Sequence, residues 1–182
     1  MVQTSAKRLT KSDWLSAGFK ALTDAGPDML KAEPLARRLG TTKGSFYWHF
    51  TDVPAYHDAL LAACEVQAVA DVMAVIGTEN SAVARLRRMG QVISETSARR
   101  QVDPAVRAWA CGNKRAAQAV ARVDAKRLAY IHELLSELDI ANPEIARIIY
   151  AASVGMETMG GAAPAENAEA MGTLVDLVLA LR

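Results

Sequence analysis

Apolar residues in this chain recur at intervals of three and four, and no run alternates with the period of two that a half-buried strand needs. That spacing confines the fold to helices packed on helices. Ile145, Ile148, Ile149, Ala152 and Met156 stand at i, i+3, i+4, i+7 and i+11, a single stripe of a helix. Tyr56, Leu60, Leu61, Cys64, Val69, Val72, Met73 and Ile76 continue the pattern from residue 56 to residue 76. Alanine dominates the apolar share, which favours helix over strand. At 182 residues, 51% of them apolar and 23% charged, the chain has the length and composition of one soluble domain with a real core.

Capping and breaking residues divide the pattern into nine predicted helices. The first starts at Thr10, where Asp13 can complete a capping box, and runs to about Thr23; Gly26-Pro27 stops it. The second covers about Ala32–Leu39, with Pro34 tolerated in its first turn, and Gly40 ends it. Thr42 can cap a third over Lys43–His49, and Asp52 a fourth reaching Gly77. The rest are predicted from Ser81 to about Arg100, from about Pro104 to Cys111, from Arg115 to Leu138, from Asn142-Pro143 to Gly160, and from Glu166 to Leu181.

Several classes are disfavoured. No apolar stretch approaches the ~20 residues that cross a bilayer, and the first fourteen residues lack the apolar segment of a signal peptide, so no membrane partner and a cytoplasmic address are expected. Cys64 and Cys111 are too few for a disulfide framework and read as buried small hydrophobes. His49, His57 and His132 are scattered, so no metal site is expected, and no cofactor. There is no glycine-rich phosphate loop and no nucleophile with base and orienter, which argues against an enzyme. Charge is informative when split. Residues 1–50 carry eight Lys/Arg against four acids, a net +4, while residues 51–182 carry thirteen against sixteen, a net −3. A basic head on an acidic body suits a protein whose one end meets a polyanion; a solvated charged face would account for it equally.

The most informative segment runs from Leu35 to Phe50, two short helices joined by a tight turn at Gly40, which is a helix-turn-helix. Phe46 and Phe50, four apart, can anchor the third helix. Lys43, Ser45, Tyr47, Trp48 and His49 are left for the remaining surface, where an exposed Tyr-Trp-His run wants a partner. In a major groove Thr, Ser, Tyr and His meet phosphates, and Lys43 or Trp48 can reach base edges. Gly44 removes a side chain where backbone would approach DNA closely.

On these residues the segment from about 9 to 61, and Gly40–Phe50 above all, resembles the tetracycline-repressor (TetR) family of bacterial transcription regulators. The resemblance implies an all-α chain: a helix-turn-helix DNA-binding domain over residues 1–52, and a helical ligand-binding and dimerisation domain over 53–182. It implies that Thr42, Lys43, Gly44, Ser45, Tyr47, Trp48 and His49 face double-stranded DNA, with Thr10 near phosphate. One position departs from it: the family's Phe-x-x-Lys pattern at the start of the fourth helix here reads Phe50-Thr51-Asp52-Val53. Arg37 and Arg38 read as a solvated helix face more readily than as a phosphate clamp, the alternative for them.

In the body, Met73, Met89, Trp109, Tyr130 and Met156 are the candidates to line a cavity for a small apolar or amphipathic effector, although at helical spacing core packing explains each of them as well. The last two helices carry wide apolar faces and the small residues Ala151, Ala152, Ser153 and Gly155, so a homodimer through about residues 144–182 is expected. The resulting expectation is a ligand-responsive transcriptional regulator, a repressor on a pseudo-palindromic operator. The alternative is a helical sensor or protein-interaction module of the same fold without DNA binding.

Overall fold

The protein is seen in a computed structural model that describes residues 9–94, 102–159 and 164–180, with side chains at 71–73, 75–76, 90–94 and 164 outside that description. Among the described residues there are nine α-helices and no strand. They are α1 (Lys11–Ala25), α2 (Ala32–Arg38), α3 (Lys43–Tyr47), α4 (Val53–Ile76), α5 (Ala82–Ser94), α6 (Val102–Ala110), α7 (Lys114–Glu137), α8 (Pro143–Thr158) and α9 (Pro164–Leu179). No described helix is long and apolar enough to cross a membrane.

The helix starts are set by the residues that can satisfy free backbone N–H groups. The Asp13 N–H donates to Thr10 Oγ1, and the Thr10 N–H returns to Asp13 Oδ2 at 2.7 Å, closing the box. The Ala55 N–H donates to Asp52 Oδ1 at 2.6 Å and the Glu144 N–H to Asn142 Oδ1 at 3.0 Å. Gly26 and Gly40 follow α1 and α2 with φ of 81° and 64°, a left-handed backbone in which glycine carries no Cβ penalty. The break after α1 differs from expectation in one respect: Pro27–Met29 winds into a 3₁₀ turn, since proline presets the φ it needs.

Two clusters of buried side chains divide the interior. The first holds Trp14, Leu22, Leu35, Phe46, Phe50, Tyr56 and Leu60, and it continues into Val106 and Trp109 of α6 and Ala116 and Ala119 of α7. The second joins Leu86 and Met89 of α5, Ile131 and Leu135 of α7, Ile145 and Ile149 of α8, and Met171 and Val175 of α9. One core therefore runs from the N-terminal helices across α4 into α6. On the surface, Arg115–Asp58 at 2.8 Å and Arg122–Glu65 at 2.6 Å tie α7 along α4. Such exposed pairs add little stability.

A polar network absent from the sequence reading fills the joint between α6, α7 and α8. Arg107 Nη2 donates to Asp124 Oδ1 at 2.6 Å and to Tyr150 Oη at 2.9 Å, and Tyr150 Oη donates to Asp124 Oδ1 at 2.8 Å. Arg127 Nη1 reaches Asp103 Oδ2 at 2.7 Å. Burial works against the Asp124 carboxylate, but hydrogen bonds from Arg107 and Tyr150 outweigh it and hold the group below the usual carboxylate range.

The two cysteines separate, contrary to the reading of both as buried. Cys64 is buried in the first cluster, while Cys111 is exposed in the turn after α6. A position beyond the last turn of a helix has no packed face of its own, so its small apolar side chain stays in solvent. Burial, aided by nearby Asp103, pushes the Cys64 thiol up to about 11. Only thiolate reacts, so iodoacetamide at pH 8 is expected to alkylate Cys111 in the native protein and Cys64 only after denaturant is added. Mass spectrometry of the labelled peptides checks this; equal labelling of both would contradict the placement of Cys64.

Candidate nucleic-acid interface

The aromatic residues of the helix-turn-helix act as a fastening that leaves one face of α3 outward. Phe46 is fully buried, edge-on to Trp14 at 5.4 Å between ring centroids, and Phe50 lies 5.2 Å from Phe46 and 4.8 Å from Tyr56. The Tyr56 hydroxyl donates to the Trp14 carbonyl at 3.0 Å, which ties α4 to α1 beneath α3. Lys11 Nζ lies over the Phe50 ring at 5.4 Å. The geometry is rigid because aromatic rings lock in a few offset and edge-on arrangements.

What this fastening leaves outside is part of the predicted set. Trp48 is 88% exposed and Tyr47 47% exposed, and Thr42, Lys43 and Gly44 are exposed beside them. Ser45 and His49 are half-buried, the His49 ring lying 6.4 Å from Trp14. Thr42 caps α3, accepting from the Ser45 N–H at 3.4 Å. The helix itself ends at Tyr47, and Trp48 and His49 follow in a turn. A Cβ added at Gly44 would meet only Thr42 Oγ1, at an ordinary 3.7 Å, so nothing inside the protein demands glycine there. Thr10 is exposed at the start of α1, but its hydroxyl is already engaged, donating to Asp13 Oδ2 at 2.7 Å.

Two residues that the sequence left as solvated surface behave differently from one another. Arg38 pairs with Asp24 and so links α2 to α1. Arg37 turns the other way, into a groove of about 370 Å³ whose walls include Lys31, Glu33, Lys43, Tyr47 and Val53. Adjacent residues on a helix point about 100° apart, so a difference was legible; which arginine would find an acid was not.

The candidates for an effector cavity do not converge. Trp109 belongs to the first cluster, edge-on to His57 at 5.1 Å, whereas Met89 is buried in the second. Tyr130 and Met156 are half-buried against that second cluster, and the Met73 side chain lies outside the described residues. Among the described residues no group of three or more His, Cys, Asp or Glu is placed to hold a metal ion.

A short helix anchored by buried aromatics, with its polar and aromatic face turned outward after a glycine turn, defines a helix-turn-helix of the kind that DNA-binding regulators carry. Residues 15–52 match the sequence pattern of the family described as bacterial regulatory proteins, tetR family. No curated protein matches the chain by sequence. Among solved structures, a transcriptional regulator from Rhodococcus sp. Rha1 aligns with a TM-score of 0.79 at 16% identity, covering 94% of this chain and 97% of its own. A TetR-family transcriptional regulator from Streptomyces coelicolor aligns at 0.78 with 17% identity, covering 93% and 88%. A chain from Saccharomonospora viridis described as a transcriptional regulator, in complex with choline, aligns at 0.78 with 14% identity, covering 91% and 95%. Residues 15–52 are thus similar to the tetR family's N-terminal unit, and the overall fold is that of these solved structures.

Proposed function

We propose that the chain is a homodimeric, ligand-responsive repressor that binds a pseudo-palindromic operator. The carrying observation is the outward display of Tyr47, at the end of α3, and of Trp48, in the turn that follows, over the buried Phe46 and Phe50. An indole exposed at 88% loses apolar burial in the free protein and regains it against base edges and thymine methyls. In this reading Thr42, Lys43, Ser45, Tyr47, Trp48 and His49 contact DNA, Gly44 admits the backbone, and Thr10 lies near a phosphate. Residues 1–52 read DNA, and residues 53–182 dimerise and bind effector.

Dimerisation rests on α8 and α9. Ile148 is 55% exposed on α8 and Leu177 63% exposed on α9, beside exposed Ala151 and half-buried Gly155 that permit close helix approach. Pairing these faces about a two-fold axis gives a four-helix bundle and sets two recognition helices for successive major grooves, ~34 Å apart. A small apolar or amphipathic effector would act through differential affinity for dimers with matched and mismatched spacing. The choline held by the Saccharomonospora viridis structure supports effector binding in this fold. Met89, Trp109, Tyr130 and Met156 remain the residues to probe, with Met73 beside them in sequence.

The experiment is a binding titration on duplex DNA upstream of the protein's own gene, with wild type and a Lys43→Ala/Tyr47→Ala variant. Wild type is expected to protect one site, and the variant to lose roughly 2–6 kcal/mol of binding with its melting temperature retained. A wild type that protects nothing, or a variant that binds as well as wild type, would overturn the reading in favour of an interaction module.

A further inference from the structure

The groove beside α3 is lined by three cations, and two of them, Lys31 and Arg37, lie outside the DNA-facing set above. Lys31 directly precedes α2, Arg37 lies in its last turn, Lys43 opens α3, and Val53 opens α4 as a neutral, half-buried wall. Glu33 is the acid among the lining residues, so the lining carries three cations against one anion. Neither Arg37 nor Lys43 has a carboxylate partner among the described residues. Lys31 lies 3.6 Å from Asp28, but both side chains are largely in solvent, and such a pair holds weakly. Arg38 shows the contrast: its charge is already engaged by Asp24. An open groove of about 370 Å³ has room for a phosphodiester. A planar guanidinium is the side chain best matched to paired phosphate oxygens.

We propose that this groove is a backbone-phosphate seat in which Arg37 of α2 and Lys31, just before α2, grip one phosphodiester beside the groove that α3 enters. The proposal rests on the DNA-binding reading and adds two contacts to it. Tyr47 stands at the rim, so a phosphate in the seat and a base read by the outer face of α3 lie on neighbouring nucleotides. The start of α4 contributes only Val53, and the positive charge there is supplied from across the groove. The seat fixes register and carries no sequence preference.

The test uses the full chain and two fluorescent duplexes, one selected by wild-type protein from a random pool and one of scrambled sequence, titrated across a salt series. Arg37→Gln and Lys31→Gln are each expected to weaken binding to both duplexes by the same factor, roughly fivefold. Each should also shallow the slope of log affinity against log salt by ~0.9, and the double variant by ~1.8. Both side chains are exposed, so melting temperatures should stay at the wild-type value. An Arg38→Gln control, whose charge is already engaged by Asp24, should leave the slope alone. Wild-type slopes in both variants, while Lys43→Ala/Tyr47→Ala abolishes binding, would overturn the seat and leave the DNA-binding reading standing. Altered sequence preference with an unchanged slope would also overturn it, since that marks a base contact. Failure of the wild-type chain to bind either duplex would overturn both.

Discussion

Arg127→Leu is expected to cost about 3 kcal/mol of stability and to lower the melting temperature by ~6–12 °C. The arginine is the close partner of Asp103, at 2.7 Å, in a joint where both side chains are largely withdrawn from solvent. With the guanidinium gone, the cation left to the Asp103 carboxylate among the described residues is Arg107, whose Nε is 3.8 Å away, beyond hydrogen-bond range. The loss comes mostly from stranding that carboxylate, so Arg127→Leu/Asp103→Leu should recover most of the stability. Calorimetry of the two variants decides the matter: a double variant no more stable than the single one would contradict this account. Acid acts on the same joint. Asp124 is held below its ordinary range in the folded protein, so its contribution is complete above the unfolded value of about 3.9. The contribution is lost as pH falls through the folded value.

Gly18→Ala is expected to cost about 3 kcal/mol and to abolish DNA binding together with the fold of the N-terminal helices. A Cβ there would sit 1.8 Å from Tyr56 Oη and 3.1 Å from Leu60 Cδ1. The tyrosine cannot swing aside, because its ring is 5.3 Å from Phe46 and 4.8 Å from Phe50 and its hydroxyl is bonded to the Trp14 carbonyl. Tyr56→Phe alone should cost about 1 kcal/mol through that lost hydrogen bond. Combined with Gly18→Ala it should cost less than the sum, since it removes the atom that clashes worst. Strictly additive melting shifts would mean that α1 and α4 simply move apart, and the tight seam described above would not exist.

The helix starts were legible because capping is local: Thr10 with Asp13, Thr42, Asp52 and Asn142 each satisfy a donor within three residues. The outward face of α3 was legible for a related reason, since Phe46 and Phe50 fix which way a five-residue helix can turn. The body was harder. Periodicity says that Trp109 and Met89 lie on buried faces but not which helix each face meets, and they fall in separate clusters. The Arg107–Asp124–Tyr150 network had a faint signature in Asp124 and Arg127, charges near the apolar positions Val123, Leu128 and Ile131 of α7. Its partners lie on two other helices, and spacing along one chain segment carries no record of them. Cys111 was misplaced for the same reason: only tertiary packing decides what covers a residue beyond a helix end.

Because Tyr56, Leu60, Val106 and Trp109 complete the same hydrophobic interior as Trp14 and Phe46, the DNA-reading end owns no private core. Heat or denaturant that loosens α6 strips the floor from beneath the recognition helix in the same cooperative event. The outward face of α3 and the integrity of α6 therefore rise and fall on a single thermodynamic transition.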